Sequence, residues 1–103
     1  MCGATVGGTS LAGVDLSGQA VIQGVVTRDG SPVSGAYVRL LDRGGEFTAE
    51  VPTSATGQFR FFAAEGVWTV RALAPRSVPG DRTVHAQVGD IADVTLALEP
   101  AAS

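Results

Sequence analysis

The side chains in this 103-residue sequence that do covalent or acid–base chemistry are few. There is one thiol, Cys2, and one imidazole, His85. The basic residues are Arg28, Arg39, Arg43, Arg60, Arg71, Arg76 and Arg82, with no lysine among them. The absence of lysine rules out Schiff-base chemistry and a phosphate-loop lysine. A single Cys and a single His cannot form a Cys/His zinc site or a disulfide within one chain. No Asp or Ser stands at a local spacing that would pair with His85 in a triad. Asp90 and Asp93 flank Ile91 without the further acidic neighbours that calcium requires. The expectation is therefore that the chain holds no metal and no cofactor. A net charge of −3 argues against nucleic-acid binding driven by bulk charge.

Cys2 is the candidate sulfur acceptor. Removal of Met1 would make it the amino terminus. A partly protonated α-amino group there favours the neighbouring thiolate. Residues 1–18 (MCGATVGGTSLAGVDLSG) are rich in Gly and poor in large apolar groups. They read as a flexible arm with weak docking points at Leu11, Val14 and Leu16, able to carry a thiol to a partner. The arm has no basic start followed by an apolar core, so it does not read as a secretory signal. No apolar run approaches the ~18–20 residues that a membrane helix needs. The expectation is a cytoplasmic protein without membrane contact, with a lone reduced thiol in keeping.

The elements that must position any site are strands. In Ala20–Arg28, Ile22, Gly24 and Val26 share a face, and Gly24 marks a bulge or a close backbone approach. Asp29-Gly30-Ser31-Pro32 has turn chemistry. Ala36, Val38 and Leu40 then alternate with Tyr37, Arg39 and Leu41. After Arg43-Gly44-Gly45, the pattern turns Phe47, Ala49 and Val51 inward. Phe59 and Phe61 alternate with Arg60 and Phe62. Trp68, Val70 and Ala72 alternate with Thr69 and Arg71. Thr83–Val88 and the run Val94, Leu96, Leu98 complete the set.

Turns every ~8–12 residues and no sustained helical period predict an all-β protein. The fold expected is a single antiparallel β-sandwich of about seven strands with Greek-key connections. The sandwich should span residues 19–99, followed by a short tail at 100–103. Trp68, Phe59, Phe61 and Val38 should centre its core.

Parity also makes an interface prediction. Arg39, Arg60 and Arg71 point outward on three strands, with Tyr37, Phe62 and Leu73 nearby. If the strands adjoin, they form a stripe with the Arg-plus-aromatic composition of an interface centre. The competing expectation is a solvated face on which Glu46 and Glu50 pair with these arginines.

Ile22-Gln23-Gly24-Val25-Val26, the Asp29-Gly30 turn and Pro32-Val33-Ser34-Gly35-Ala36-Tyr37-Val38 resemble the carboxypeptidase regulatory-like, transthyretin-like sandwich. So do Thr56-Gly57-Gln58-Phe59-Arg60-Phe61 and Gly66-Val67-Trp68-Thr69-Val70-Arg71-Ala72. This resemblance implies a fold but no single function. Met1-Cys2-Gly3, Arg39-Leu40-Leu41-Asp42, Glu46-Phe47-Thr48-Ala49-Glu50-Val51, Ser54–Ala64 and Trp68–Leu73 are similar to the small actinobacterial SseC-like proteins. That resemblance implies a setting in sulfur metabolism beside rhodanese-type sulfurtransferases, without implying an activity.

Two functions follow as expectations. One is a non-enzymatic accessory module that binds a protein partner, such as a sulfurtransferase, through Tyr37, Arg39, Arg60, Phe62 and Arg71. The other is a sulfur carrier or sulfurtransferase subunit that uses Cys2 as a persulfide acceptor. A carbohydrate-binding sandwich is a further alternative, although aromatic platforms are scarce. The second catalytic group that an autonomous enzyme would need has no counterpart in the sequence.

Overall fold

The computed structural model describes residues 4–7 and 18–101. These contain no helix. They form ten strands: β1 (Ala4–Gly7), β2 (Ala20–Arg28), β3 (Ser31–Pro32), β4 (Tyr37–Leu41), β5 (Phe47–Pro52), β6 (Gln58–Ala63), β7 (Gly66–Leu73), β8 (Ser77–Val78), β9 (Gly80–Ala86) and β10 (Ile91–Pro100). A six-stranded sheet runs β1-β6-β2-β10-β8, with β3 attached to β2. A four-stranded sheet runs β5-β4-β7-β9. The chain crosses between the sheets after β3 and β5 and then at every connection from β6 to β10, in the manner of a Greek key.

The alternating patterns become the sandwich core. Ile22, Val38, Leu40, Phe59, Phe61, Trp68, Val70, Val84 and Leu96 belong to one buried cluster between the sheets. The Phe59 and Phe61 rings lie 6.1 Å apart with planes tilted by 57°, within the range of favourable aromatic contacts. The Trp68 indole N–H donates to the Ala64 carbonyl at 2.9 Å, so burying this ring leaves no donor unpaired. Asp29 and Gly30 both have positive φ, the two-residue turn whose twist suits a hairpin, and it joins β2 to β3.

The close approach expected at Gly24 is present. A Cβ there would collide with the Val94 carbonyl oxygen and stand 3.0 Å from the edge of the Phe59 ring. Thr53, a buried polar residue, stitches the start of β4. Its hydroxyl accepts from the Ala36 N–H at 2.9 Å and donates to the Val33 carbonyl at 2.7 Å.

The structure departs from the sequence expectation in three respects. There are ten strands rather than about seven, because β1 and the two-residue β3 and β8 are too short or too weakly patterned to show as alternation. One pairing is parallel: β10 runs beside β2, from Ile91 opposite Val21 to Leu98 opposite Arg28. The cause lies in the turn before β10. Gly89 N–H donates to the Gln19 carbonyl and Val21 N–H to the Asp90 carbonyl, so β10 enters at the end where β2 begins. The third departure is Phe47, which faces outward and is 61% exposed. The β4–β5 register runs from Leu40 opposite Ala49 directly to Leu41 opposite Phe47, leaving Thr48 as an extra, bulged residue. One extra residue reverses the parity beyond it, which carries Phe47 to the outer face.

Candidate functional site

The three-arginine stripe is not formed. Arg39 on β4 and Arg71 on β7 share the outer face of the four-stranded sheet, but Arg60 lies on β6 in the other sheet. Parity placed all three outward correctly, yet the two outer faces point away from each other. Phe62 goes with Arg60 onto the six-stranded sheet and is only 9% exposed, so it is not an available contact residue beside Arg39. Cys2 lies outside the described residues, as do Leu11, Val14 and Leu16.

What the four-stranded sheet does assemble is a row of four charges in register: Glu50, Arg39, Arg71 and Asp81, one from each strand in the order β5-β4-β7-β9. Arg39 Nε donates to Glu50 Oε2 at 2.8 Å. Arg71 grips Asp81 with two bonds, Nε to Oδ1 at 2.8 Å and Nη2 to Oδ2 at 2.9 Å. This is the bidentate geometry that a planar guanidinium favours. Donation from Arg71 holds the Asp81 carboxyl below its ordinary value, against a smaller opposing cost of partial burial. The same hydrogen bond raises the Arg71 guanidinium. The arginine–carboxylate pairing expected for a solvated face is thus half right. Glu50 is a partner, but Asp81 replaces Glu46 as the other.

An apolar row and a mixed one border the charged row. Pro52, Tyr37 and Leu73 are aligned on one side, and Phe47, Leu41 and Thr69 on the other. Tyr37 is 51% exposed, and together with Phe47 it puts an aromatic ring on each flank of the arginines. His85 is exposed at the far end of β9, opposite Val67. No group of three or more His, Cys, Asp or Glu side chains gathers among the described residues in a way that could hold a metal ion.

Arg60 belongs to a different construction on the outer face of the six-stranded sheet. It stands opposite Gln23 on β2, which stands opposite Asp93 on β10. Arg60 Nε donates to Gln23 Oε1 at 3.1 Å, and Gln23 Nε2 donates to Asp93 Oδ1 at 3.1 Å. These residues, with Gly24, Val25, Gln58, Phe59 and Val94, line a hollow of about 250 Å³. A smaller hollow of about 70 Å³, lined by Ser54 and again by Gln58, Phe59 and Arg60, adjoins it. Sequence reasoning missed this site. Gln23 is 37 residues from Arg60 and 70 from Asp93, and no local spacing announces either bond.

Comparison with known proteins adds the family. Residues 2–98 match the family described as "Protein of unknown function (DUF1416)". The chain belongs to that family. A Mycolicibacterium smegmatis protein, named only as uncharacterized, is 66% identical over 64 residues, covering 61% of this chain and 71% of its own. Uncharacterized protein Rv0814c of Mycobacterium tuberculosis is 52% identical over 96 residues, covering 91% of this chain and 95% of its own.

Among solved structures, the minor pilin GBS52 of Streptococcus agalactiae superimposes with a TM-score of 0.70 at 13% identity, over 84% of this chain and 46% of the pilin. A DUF3823 family protein from Parabacteroides merdae gives 0.66 at 16%, over 82% and 47%. This chain therefore spans about half the length of either structure. Chlorocatechol 1,2-dioxygenase from Pseudomonas putida gives 0.62 at 11%, over 94% and 71%. A pilin and a dioxygenase sharing one fold with this DUF1416 chain means that the fold cannot name its function.

Proposed function

We propose that this protein is a small non-enzymatic accessory module that docks a protein partner through the outer face of its four-stranded sheet. The observation that carries the reading is the banded face itself, with Arg39 and Arg71 at its centre and exposed Tyr37 and Phe47 on the flanks. Arginine and exposed aromatics are the side chains enriched where protein interfaces concentrate their binding energy. Arg60 and Phe62 drop out of the proposed surface because they belong to the opposite sheet.

For the partner we propose a rhodanese-type sulfurtransferase in the cytoplasm. This part rests on the resemblance of the sequence to SseC-like proteins and not on the geometry. The test is a pull-down of a rhodanese from the source organism with the wild-type chain and with a Tyr37→Ser/Phe47→Ser variant. Capture by the wild type and loss with the variant support the reading, while equal capture by both removes the proposed face. Alkylation of Cys2 separates docking from sulfur carriage. Docking should survive the alkylation. If Cys2 instead accepts the donor's outer sulfur, releasing the donor's own thiolate, alkylation abolishes that transfer.

A further inference from the structure

We propose that the hollow on the six-stranded sheet is a binding site for a small neutral polyol, of the size and chemistry of one or two sugar units. It lies on the opposite side of the sandwich from the docking face and does not depend on that reading. Three features of the site support it.

The first is pre-organisation. Gln23 uses its amide oxygen toward Arg60 and its amide nitrogen toward Asp93, so the row is locked across three adjacent strands. A bound ligand would meet side chains already ordered, which lowers the entropy cost of binding. The backbone beneath is equally constrained, because Gly24 lets β10 approach as closely as it does.

The second is unused hydrogen-bonding capacity. Asp93 Oδ1 receives Gln23, but among the described residues Oδ2 has no donor and neither end of the Gln58 amide has a partner. Both residues are exposed, and the site presents to a ligand an acceptor beside an amide that both donates and accepts. Ser54, at the rim of the adjoining hollow, adds a hydroxyl. A hydroxyl group, donor and acceptor at once, satisfies each of these.

The third is charge. Arg60 and Asp93 sit at opposite ends of the row, so an anion that fills the hollow meets the carboxylate and a cation meets the guanidinium. A neutral ligand meets neither penalty. Val25, which stands opposite Gln58 in the neighbouring row, gives an apolar surface for ring C–H groups. The Phe59 ring is buried in the core and offers no stacking platform, so binding rests on hydrogen bonds and should be weak.

The experiment is a titration of ¹⁵N-labelled full-length protein with glucose, galactose, mannose and maltose, following backbone and Gln side-chain amide signals. Glycine and sodium acetate serve as charged controls. At least one sugar should give saturable shifts at Gln23, Gln58 and Asp93, larger than either control. Asp93→Asn keeps an acceptor for Gln23 but turns the free oxygen into a donor, and it should weaken that sugar about tenfold. Gln58→Ala should weaken it by a smaller factor. The surface position of both residues leaves the fold intact, which the unchanged spectrum of the rest of the protein checks. No saturable shift with any of the four sugars overturns the proposal. Larger shifts with glycine or acetate overturn it too, as does undiminished binding by Asp93→Asn.

Discussion

Arg39 and Arg71 stand directly opposite one another on neighbouring antiparallel strands, and each reaches away from the other to a carboxylate on the strand beyond. Like charges facing across a strand pair are unfavourable. Glu50 and Asp81, at the two ends of the row, draw the guanidinium groups apart and neutralise them. The arrangement keeps two arginines together at the centre of a face whose row carries no net charge.

Asp81 should make stability depend on pH in one direction only. Its carboxyl is held below its ordinary value in the folded protein by the hydrogen bonds from Arg71. A group whose pKa is lower folded than unfolded stabilises the fold above the unfolded value, about 3.9 for Asp. That contribution is lost as the pH falls through this value toward the folded one. Urea unfolding of the wild type and Asp81→Asn should therefore differ slightly near neutrality and converge in acid. A difference that grows as the pH falls would contradict the assignment. The pair is largely exposed, so the effect should be small and should shrink with added salt.

Trp68→Ala should be among the most damaging single changes, at about 3–5 kcal/mol. Trp68 is a buried member of the inter-sheet cluster, and its indole N–H is satisfied. Trp68→Phe keeps much of the volume and should cost clearly less. Equilibrium denaturation followed by far-ultraviolet circular dichroism measures both, and equal losses would mean that volume is not the main term.

Gly24→Ala should destabilise by about 1–3 kcal/mol or more, the range for forcing atoms into a packed interior. The obstacle is backbone, the Val94 carbonyl, which cannot rotate away as a side chain can. Gly18→Ala is the matched control, because none of the described residues lies within 4 Å of its added methyl. Thermal melts of the two variants should separate them, and similar midpoints would show that β2 and β10 can part without cost.

Thr53→Val should cost about 1–3 kcal/mol while preserving the shape of the side chain. The substitution removes the hydroxyl that serves both the Ala36 N–H and the Val33 carbonyl. Thr53→Ser keeps the hydroxyl and should retain most of the stability. Amide exchange at Ala36 reports the same bond locally, and it should quicken in the valine variant and not in the serine variant.

Much of this architecture is legible in the sequence because its determinants are local. Alternation over five to nine residues decides which side chains of a strand share a face, and it placed Val38, Phe59, Phe61 and Trp68 in the core. Gly24, inside an apolar strand, already indicated a bulge or a close backbone approach, and packing decided for the second. What alternation cannot carry is the identity of the sheet to which a face belongs. Arg39, Arg60 and Arg71 have the same parity, and only the packing of ten strands into two layers separates Arg60 from the other two. Phe47 left the core because one bulged residue shifted its register, an event decided by pairing with β4 and invisible in β5 alone. The parallel pairing of β10 with β2, and the Arg60–Gln23–Asp93 row that this pairing completes, join segments up to 70 residues apart. Strand faces follow from the geometry of a single extended chain, whereas neighbours and register follow from how the whole set of apolar faces is buried at once.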